Sequence, residues 1–138
     1  MEVRLEAFTE YTRRPRKLSL QSRMRIERLK LDPKAWALTL RVAAARRVSL
    51  RDLLHGGRHQ GNVALSRQLA MYLVHVLLRR TQEEVGFLFT RSRTTVGYAC
   101  RNIEMMRDDP LLEAEIERIE GQCRQRVRPL ELELRDAA

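Results

Sequence analysis

Two short capped segments separated by two residues impose the strongest constraint on how this chain can fold. They read TQEEVGFLF (81–89) and SRTTVGYACRNIEMM (92–106). Thr81 and Glu84 have the spacing of a capping box, which predicts a helix start at that point. Apolar residues recur at helical spacing in the second segment, at Val96, Ala99, Cys100, Ile103 and Met106. The pattern therefore predicts a short helix, a tight break and a second helix.

The first turn of the second helix is polar, whereas its rear stripe is apolar. A short helix, a break of about three residues and a second helix are typical of the helix-turn-helix. In that motif the second helix enters the major groove of DNA with its N-terminal residues. We therefore expect helix 92–107 to face duplex DNA with Arg93, Thr94 and Thr95. Periodicity alone is equally consistent with an ordinary capped helix in a helical bundle.

The remainder of the chain also has helical patterns, so we expect an all-α fold. Asp32 and Asp109 each precede a proline, the arrangement of a helix cap followed by the first helical residue. A weak helix is expected near residues 20–31, with Leu20, Met24, Ile26 and Leu31 as its apolar residues. PLELELRDAA (129–138) alternates as a strand does, but it lacks a partner and is interpreted as a frayed tail. We expect an arm at 1–31, a domain at 32–126 and a tail at 127–138.

Charge is unevenly distributed along the chain. The net charge is +9, with +13 carried by residues 1–107 and −4 by residues 108–138. A positively charged region of this kind favours the binding of polyanions, through electrostatic steering and through the release of counterions. Phosphate contacts are expected from the basic cluster in the arm, formed by Arg13, Arg14, Arg16 and Lys17. A solvated basic surface without a partner remains the alternative.

Several classes of function are not expected from this composition. No apolar run approaches the roughly 20 residues of a membrane span, and the N-terminus does not resemble a signal peptide. Cys100 and Cys123 lie on apolar stripes, so we interpret them as reduced core residues of a cytosolic protein. The three histidines have no cysteine pair nearby, and we expect no metal, no cofactor and no catalytic site. The chain is therefore not expected to be an enzyme.

Three linked motifs resemble one known family. SRQLAMYLVHVLL (66–78), EEVGFLF (83–89) and RTTVGYACRNIE (93–104) are similar, in order, to segments of a bacterial DNA-binding domain. RRVSLRDLL (46–54) fits the short helix that precedes a loop in that family. The family is the C-terminal domain of the bacterial replication initiator DnaA. The resemblance covers roughly residues 32–106 and implies a Trp-repressor-like helix-turn-helix bundle.

The resemblance also implies roles for individual residues. It implies that Arg67 enters the minor groove, that Thr94 and Thr95 lie in the major groove, and that Arg58 and His59 contact phosphates. Further candidate contacts around the second helix are Arg91, Ser92, Arg93, Tyr98 and Arg101. Three features depart from the family: Ser92-Arg93 replaces Asp-His, the turn is one residue shorter, and Gly97 replaces a larger residue. These departures predict an altered DNA sequence preference.

The sequence contains no phosphate-binding loop of the Gly-x-x-x-x-Gly-Lys-Ser/Thr type, so we expect no bound nucleotide. The leading hypothesis is a cytoplasmic, nucleoid-associated transcriptional regulator that binds double-stranded DNA. A modulator of replication that competes for initiator sites is the first alternative. The second alternative is a module that docks another protein through its acidic C-terminal helix, which carries Glu113, Glu115, Glu117 and Glu120.

Overall fold

The structure is a computed structural model that describes the backbone of residues 18–55 and 61–136, and side chains as far as residue 124. Within these ranges the regular structure is entirely α-helical, which confirms the expected fold class. The helices are α1 (Leu20–Lys30), α2 (Pro33–Arg46), α3 (Leu50–Leu54), α4 (Asn62–Leu77), α5 (Gln82–Phe89), α6 (Arg93–Met106) and α7 (Pro110–Asp136).

Side-chain caps set most of the helix starts. The Asp32 carboxylate accepts a hydrogen bond from the backbone N–H of Ala35 (3.2 Å), and Pro33 is the first helical residue. The Thr81 hydroxyl and the Glu84 carboxylate form both halves of a capping box at α5. Such caps satisfy N–H groups that have no partner inside the helix. The predicted starts of α2 and α5 are therefore confirmed.

Helix α4 occupies the centre of the bundle. It packs against α2, α3, α5 and α6. Leu69, Leu73 and Val74 have no exposed surface, and Tyr72 is almost fully buried. Neighbouring helices complete the core with aliphatic side chains, among them Leu29, Leu38, Val42, Leu53, Val85, Val96, Ile103, Ile116 and Ile119. Burial of this apolar surface is the main force that holds the helices together.

Helix α7 is fixed to the bundle by apolar contacts and by two ion pairs. Its buried stripe is Leu112, Ile116 and Ile119. Glu113 pairs with Arg107 (2.7 Å), and Glu115 pairs with Arg46 (2.8 Å). Two carboxylates of the acidic helix are therefore used within the fold. The interpretation as a frayed tail is wrong for residues 129–136, because the helix continues to Asp136, and residues 137 and 138 lie outside the described residues.

Helix α1 exists, but of the four apolar residues predicted for its face only Ile26 packs against the core. Leu20 and Leu31 are about three-quarters exposed, and Met24 is also exposed. The helix instead packs through Ser22, Ile26 and Leu29, which lie on one face because they are spaced by four and three residues. Ser22 makes this stripe hard to find by hydropathy. The domain limits at residues 31 and 126 stay predictions, although α1 already contributes Leu29 to the core.

Two negative observations apply to the described residues alone. None of their helices combines the length and the apolar character that crossing a bilayer requires. Their His, Cys, Asp and Glu side chains form no group of three or more suited to holding a metal ion.

The Asp32–Arg80 pair generates a prediction about acid stability. Arg80 Nε donates to Asp32 Oδ2 (2.7 Å), joining the start of α2 to the segment between α4 and α5. This hydrogen bond is the largest of the effects that lower the pKa of Asp32 below its ordinary value. A lowered carboxyl pKa means that the pair stabilises the fold above the ordinary aspartate pKa of about 3.9. That stability is lost as the pH falls through the lowered pKa.

We therefore expect Asp32→Asn to reduce the free energy of unfolding by about 1 kcal/mol at pH 7, because asparagine keeps the cap but loses the charge. The deficit should shrink towards zero in strongly acidic buffer. Urea unfolding at several pH values measures both quantities. Asp108→Asn is the matched control, since Asp108 is exposed. A deficit that stays constant at low pH would contradict the assignment.

Candidate nucleic-acid interface

A three-residue turn joins α5 to α6, as the sequence predicts. Thr90 ends α5 in the left-handed conformation (φ 57°), and its N–H donates to the Phe87 carbonyl. The N–H of Arg91 donates to the Gly86 carbonyl (2.8 Å), which closes the turn. Ser92 then caps α6, with its hydroxyl accepting from the Thr95 N–H (3.2 Å). The direction of α6 is therefore determined by backbone hydrogen bonds within the turn.

The turn lies so close to α5 at Gly86 that this position requires a glycine. A Cβ atom built at Gly86 would lie 2.6 Å from the carbonyl oxygen of Arg91, far inside normal contact distance. The neighbour is backbone, which cannot rotate away as a side chain can. The glycine therefore allows the turn to pack directly on α5.

Helix α6 presents two different faces. Val96, Ala99 and Ile103 are almost completely buried against the core, with Cys100 beside them. The opposite face is exposed and carries Ser92, Arg93, Thr94, Thr95, Tyr98 and Arg101. The predicted packing of the rear stripe is confirmed. The structure thus brings six of the candidate contact residues to one surface.

A cleft opens on this surface between α6 and the first residue of α5. Its lining is Gln82, Arg93, Thr94, Gly97 and Arg101. A Cβ at Gly97 would lie 3.2 Å from Gln82 Oε1, so any larger residue would narrow the cleft. The two arginines give the cleft a positive charge. Sequence reasoning missed Gln82, because its place in the cleft depends on how α5 and α6 pack against each other.

Arg67 is held inside the fold by hydrogen bonds to the end of α3. Only 9% of its surface is exposed. Its Nε donates to the Leu53 carbonyl (2.6 Å) and its Nη2 to the Asp52 carbonyl (3.0 Å), at the end of α3. Burial, aided by the charges of Arg91 and Arg25, lowers the pKa of Arg67 to about 10. The implied minor-groove role stays a prediction; in this structure the side chain donates to two carbonyls at the end of α3.

Arg91 makes a related contact from the turn. Its Nη2 donates a hydrogen bond to the carbonyl of His55, which is the residue that follows α3. Partial burial lowers the pKa of Arg91, and the charge of Arg25 adds to the effect. Arg67 and Arg91 together therefore hold the end of α3 against α4 and the helix-turn-helix. Arg58, His59 and the arm residues Arg13, Arg14, Arg16 and Lys17 lie outside the described residues.

Arg93 is exposed at the start of α6 and lies beside a carboxylate. Its Nη1 is 3.8 Å from Oε1 of Glu83, on the first turn of α5. Both side chains are more than two-thirds exposed, so water screens the pair. Glu83 was not among the residues singled out from the sequence.

Comparisons with known proteins also identify a helix-turn-helix in the part of the chain that contains α5, the turn and α6. Residues 38–103 match the family described as the bacterial dnaA protein helix-turn-helix. They form a DnaA-type helix-turn-helix domain. The resemblance found in the sequence is thereby confirmed for this part of the chain.

Curated relatives share this DnaA-type region. Chromosomal replication initiator protein DnaA 2 of Chlamydia trachomatis is 38% identical over 76 residues, which are 54% of this chain and 16% of the relative. The DnaA protein of Rhodopseudomonas palustris is 40% identical over 86 residues, 61% of this chain and 18% of the relative. The Deinococcus radiodurans protein is 35% identical over 78 residues, covering 56% and 17%. The chain thus spans less than a fifth of each relative.

The contact at Gly86 generates a prediction with a matched control. Gly86→Ala should cost several kcal/mol of unfolding free energy, because the turn must move to admit the methyl group. Gly121→Ala should instead be neutral or stabilise by up to about 1 kcal/mol, since nothing lies within 4 Å of its Cβ position in α7. Thermal and urea unfolding of both variants provide the measurement. Equal stability of the two variants would refute the role of Gly86.

Proposed function

We propose that this protein binds double-stranded DNA and places the first turn of α6 in the major groove. The observation that carries the proposal is the exposed cluster of Arg93, Thr94 and Arg101 on a helix whose rear face is buried. This is the arrangement by which a helix-turn-helix presents side chains to base edges. The net charge of +13 over residues 1–107 supports attraction to phosphates.

Arg93 is the residue that we propose to select a base. The hydroxyl of Ser92 accepts from the Thr95 N–H and lies 2.9 Å from the Thr95 hydroxyl, so Ser92 serves the helix start. Arg93 remains exposed with a guanidinium whose planar fork matches O6 and N7 of guanine. We therefore expect a guanine opposite Arg93. Thr94 and Thr95 complete the surface that faces the groove.

The proposal also covers the biological process in which the protein acts. The relatives are named chromosomal replication initiators, which supports a role in replication control through sites of the initiator type. Ser92 and Arg93 replace the family's Asp-His pair, which favours a different set of sites and keeps transcriptional regulation as the second candidate. We propose that the chain acts without catalysis, nucleotide or metal. DNA binding would place it in the cytoplasm, on the nucleoid.

The proposal predicts strongly salt-dependent affinity for duplex DNA. If about six phosphates are contacted, affinity should fall by a factor on the order of 1,000 or more between 50 and 200 mM salt. Fluorescence anisotropy with a labelled duplex across a salt series measures the slope. Single-stranded DNA of the same length is the control. A flat titration would reject duplex binding as the function.

Sequence preference is tested by selecting bound duplexes from a random pool with the wild type and Arg93→Ala. We expect a motif with a guanine that the variant no longer selects, at a discrimination of about 1–3 kcal/mol in the wild type. Arg118→Ala, on the exposed side of α7, is the matched control and should leave the motif unchanged. An identical motif from wild type and Arg93→Ala would show that Arg93 contacts only the backbone.

A further inference from the structure

A carboxylate lies within the basic surface that is proposed to meet DNA. Glu83 is the second residue of α5, and its side chain is about three-quarters exposed. Its Oε1 is 3.8 Å from Nη1 of Arg93, at the start of α6. Arg101 and Gln82 lie close by, because both line the cleft beside Arg93. An acidic group here opposes attraction to phosphates, so its presence requires an explanation.

Helix capping does not supply that explanation. The capping box of α5 is made by Thr81 and Glu84, with both of its hydrogen bonds present. Glu83 and Glu84 both place a negative charge in the first turn, where each interacts favourably with the helix dipole. An exposed ion pair such as Glu83–Arg93 adds only about 0–1 kcal/mol to stability in water. Glu83 takes no part in the capping box, and its position beside Arg93 distinguishes it from Glu84.

We propose that Glu83 is a specificity-determining residue that directs Arg93 away from DNA phosphates and towards base edges. The inference rests on the proposed DNA-binding function. A phosphate that approaches Arg93 also approaches Glu83 and is repelled by its charge. Neutral acceptors such as guanine O6 and N7 meet no comparable repulsion. Entry into the groove also removes water from the pair, and the lower dielectric strengthens its attraction.

The pair also offers complementary groups to a guanine–cytosine base pair. The guanidinium of Arg93 donates to guanine O6 and N7, whereas a carboxylate accepts from the cytosine N4 amino group. Glu83 and Arg93 come from different helices of the motif, so the short turn between α5 and α6 sets their spacing. The ligand assigned to this pair is therefore a G·C base pair within duplex DNA.

Glu83→Gln tests the inference because it keeps the size of the side chain and removes its charge. We expect affinity for random-sequence duplex to rise several-fold, since Arg93 can then contact a phosphate. The slope of log affinity against log salt should steepen by about 0.9, the value for one added phosphate contact. In selection from a random pool, preference for the guanine should fall at least about fivefold.

Three controls separate this effect from a change in overall charge. Glu117→Gln removes the same charge from an exposed position on α7, outside the helix-turn-helix. Arg93→Ala and the double variant complete a cycle in which Glu83→Gln should have little effect once Arg93 is absent. Circular dichroism establishes that each variant is folded.

Different outcomes reject different statements. Equal effects of Glu83→Gln and Glu117→Gln would overturn the inference, since only total charge would then matter. An unchanged motif and salt slope for Glu83→Gln would overturn it as well, while the wild-type motif upheld DNA binding. Absence of salt-dependent duplex binding by the wild type would reject the proposed function and the inference together.

Discussion

The packing of helices around α4 is the constraint on which the rest of the structure depends. Leu69, Leu73 and Val74 are completely buried, and α2, α3, α5 and α6 all pack on this helix. A polar contact extends the same arrangement, since the Tyr72 hydroxyl donates to Glu104 (2.5 Å) and accepts from Arg107 (3.0 Å). Arg107 in turn pairs with Glu113. Helix α4 thus determines the positions of α6 and, through Arg107, of α7.

Backbone contacts then convert this packing into a defined outer surface. The close approach of Gly86 to the Arg91 carbonyl leaves little freedom in the turn, and Ser92 sets the first residue of α6. The rear stripe of α6 fixes the rotation of the helix about its axis, so Arg93, Thr94 and Arg101 must point outward. Side chains held in this way are better suited to reading a groove than the same residues on a loop.

Local signals in the sequence predict much of the fold. Caps at Asp32, Thr81 and Ser92 have short, fixed spacings, and the stripe of α6 repeats regularly, so the helices of the motif follow from neighbouring residues alone. The face of α1 does not, because Ser22 is buried by tertiary packing that hydropathy cannot represent. The strand-like alternation after residue 128 also misleads, since an extension of α7 determines the local structure there.

The residues of the candidate site also differ in how far the sequence predicts them. Exposure of Arg93, Thr94 and Tyr98 follows from the helical period, whereas contacts between distant segments do not. Arg67 lies 14 residues from the Leu53 carbonyl to which it donates, and no spacing rule indicates that pairing. Glu83 and Gln82 likewise gain their meaning only when α5 and α6 are brought together. The exposure of a residue within one helix is therefore predictable from the sequence, whereas a contact between two helices is not.

The missing side chain at Gly97 has a geometric consequence for any duplex that receives α6. A helix with its side chains is about 10–12 Å wide, close to the 12 Å width of the major groove, so it normally fits with little lateral freedom. On the Gln82 side, Gly97 adds no side chain and the Gln82 amide lies close to the helix, whereas Tyr98 extends into solvent from the same helix. The effective radius of α6 is therefore smaller on one side. A side chain at position 97 would push Gln82 outward and so widen the part of the motif that a groove has to admit.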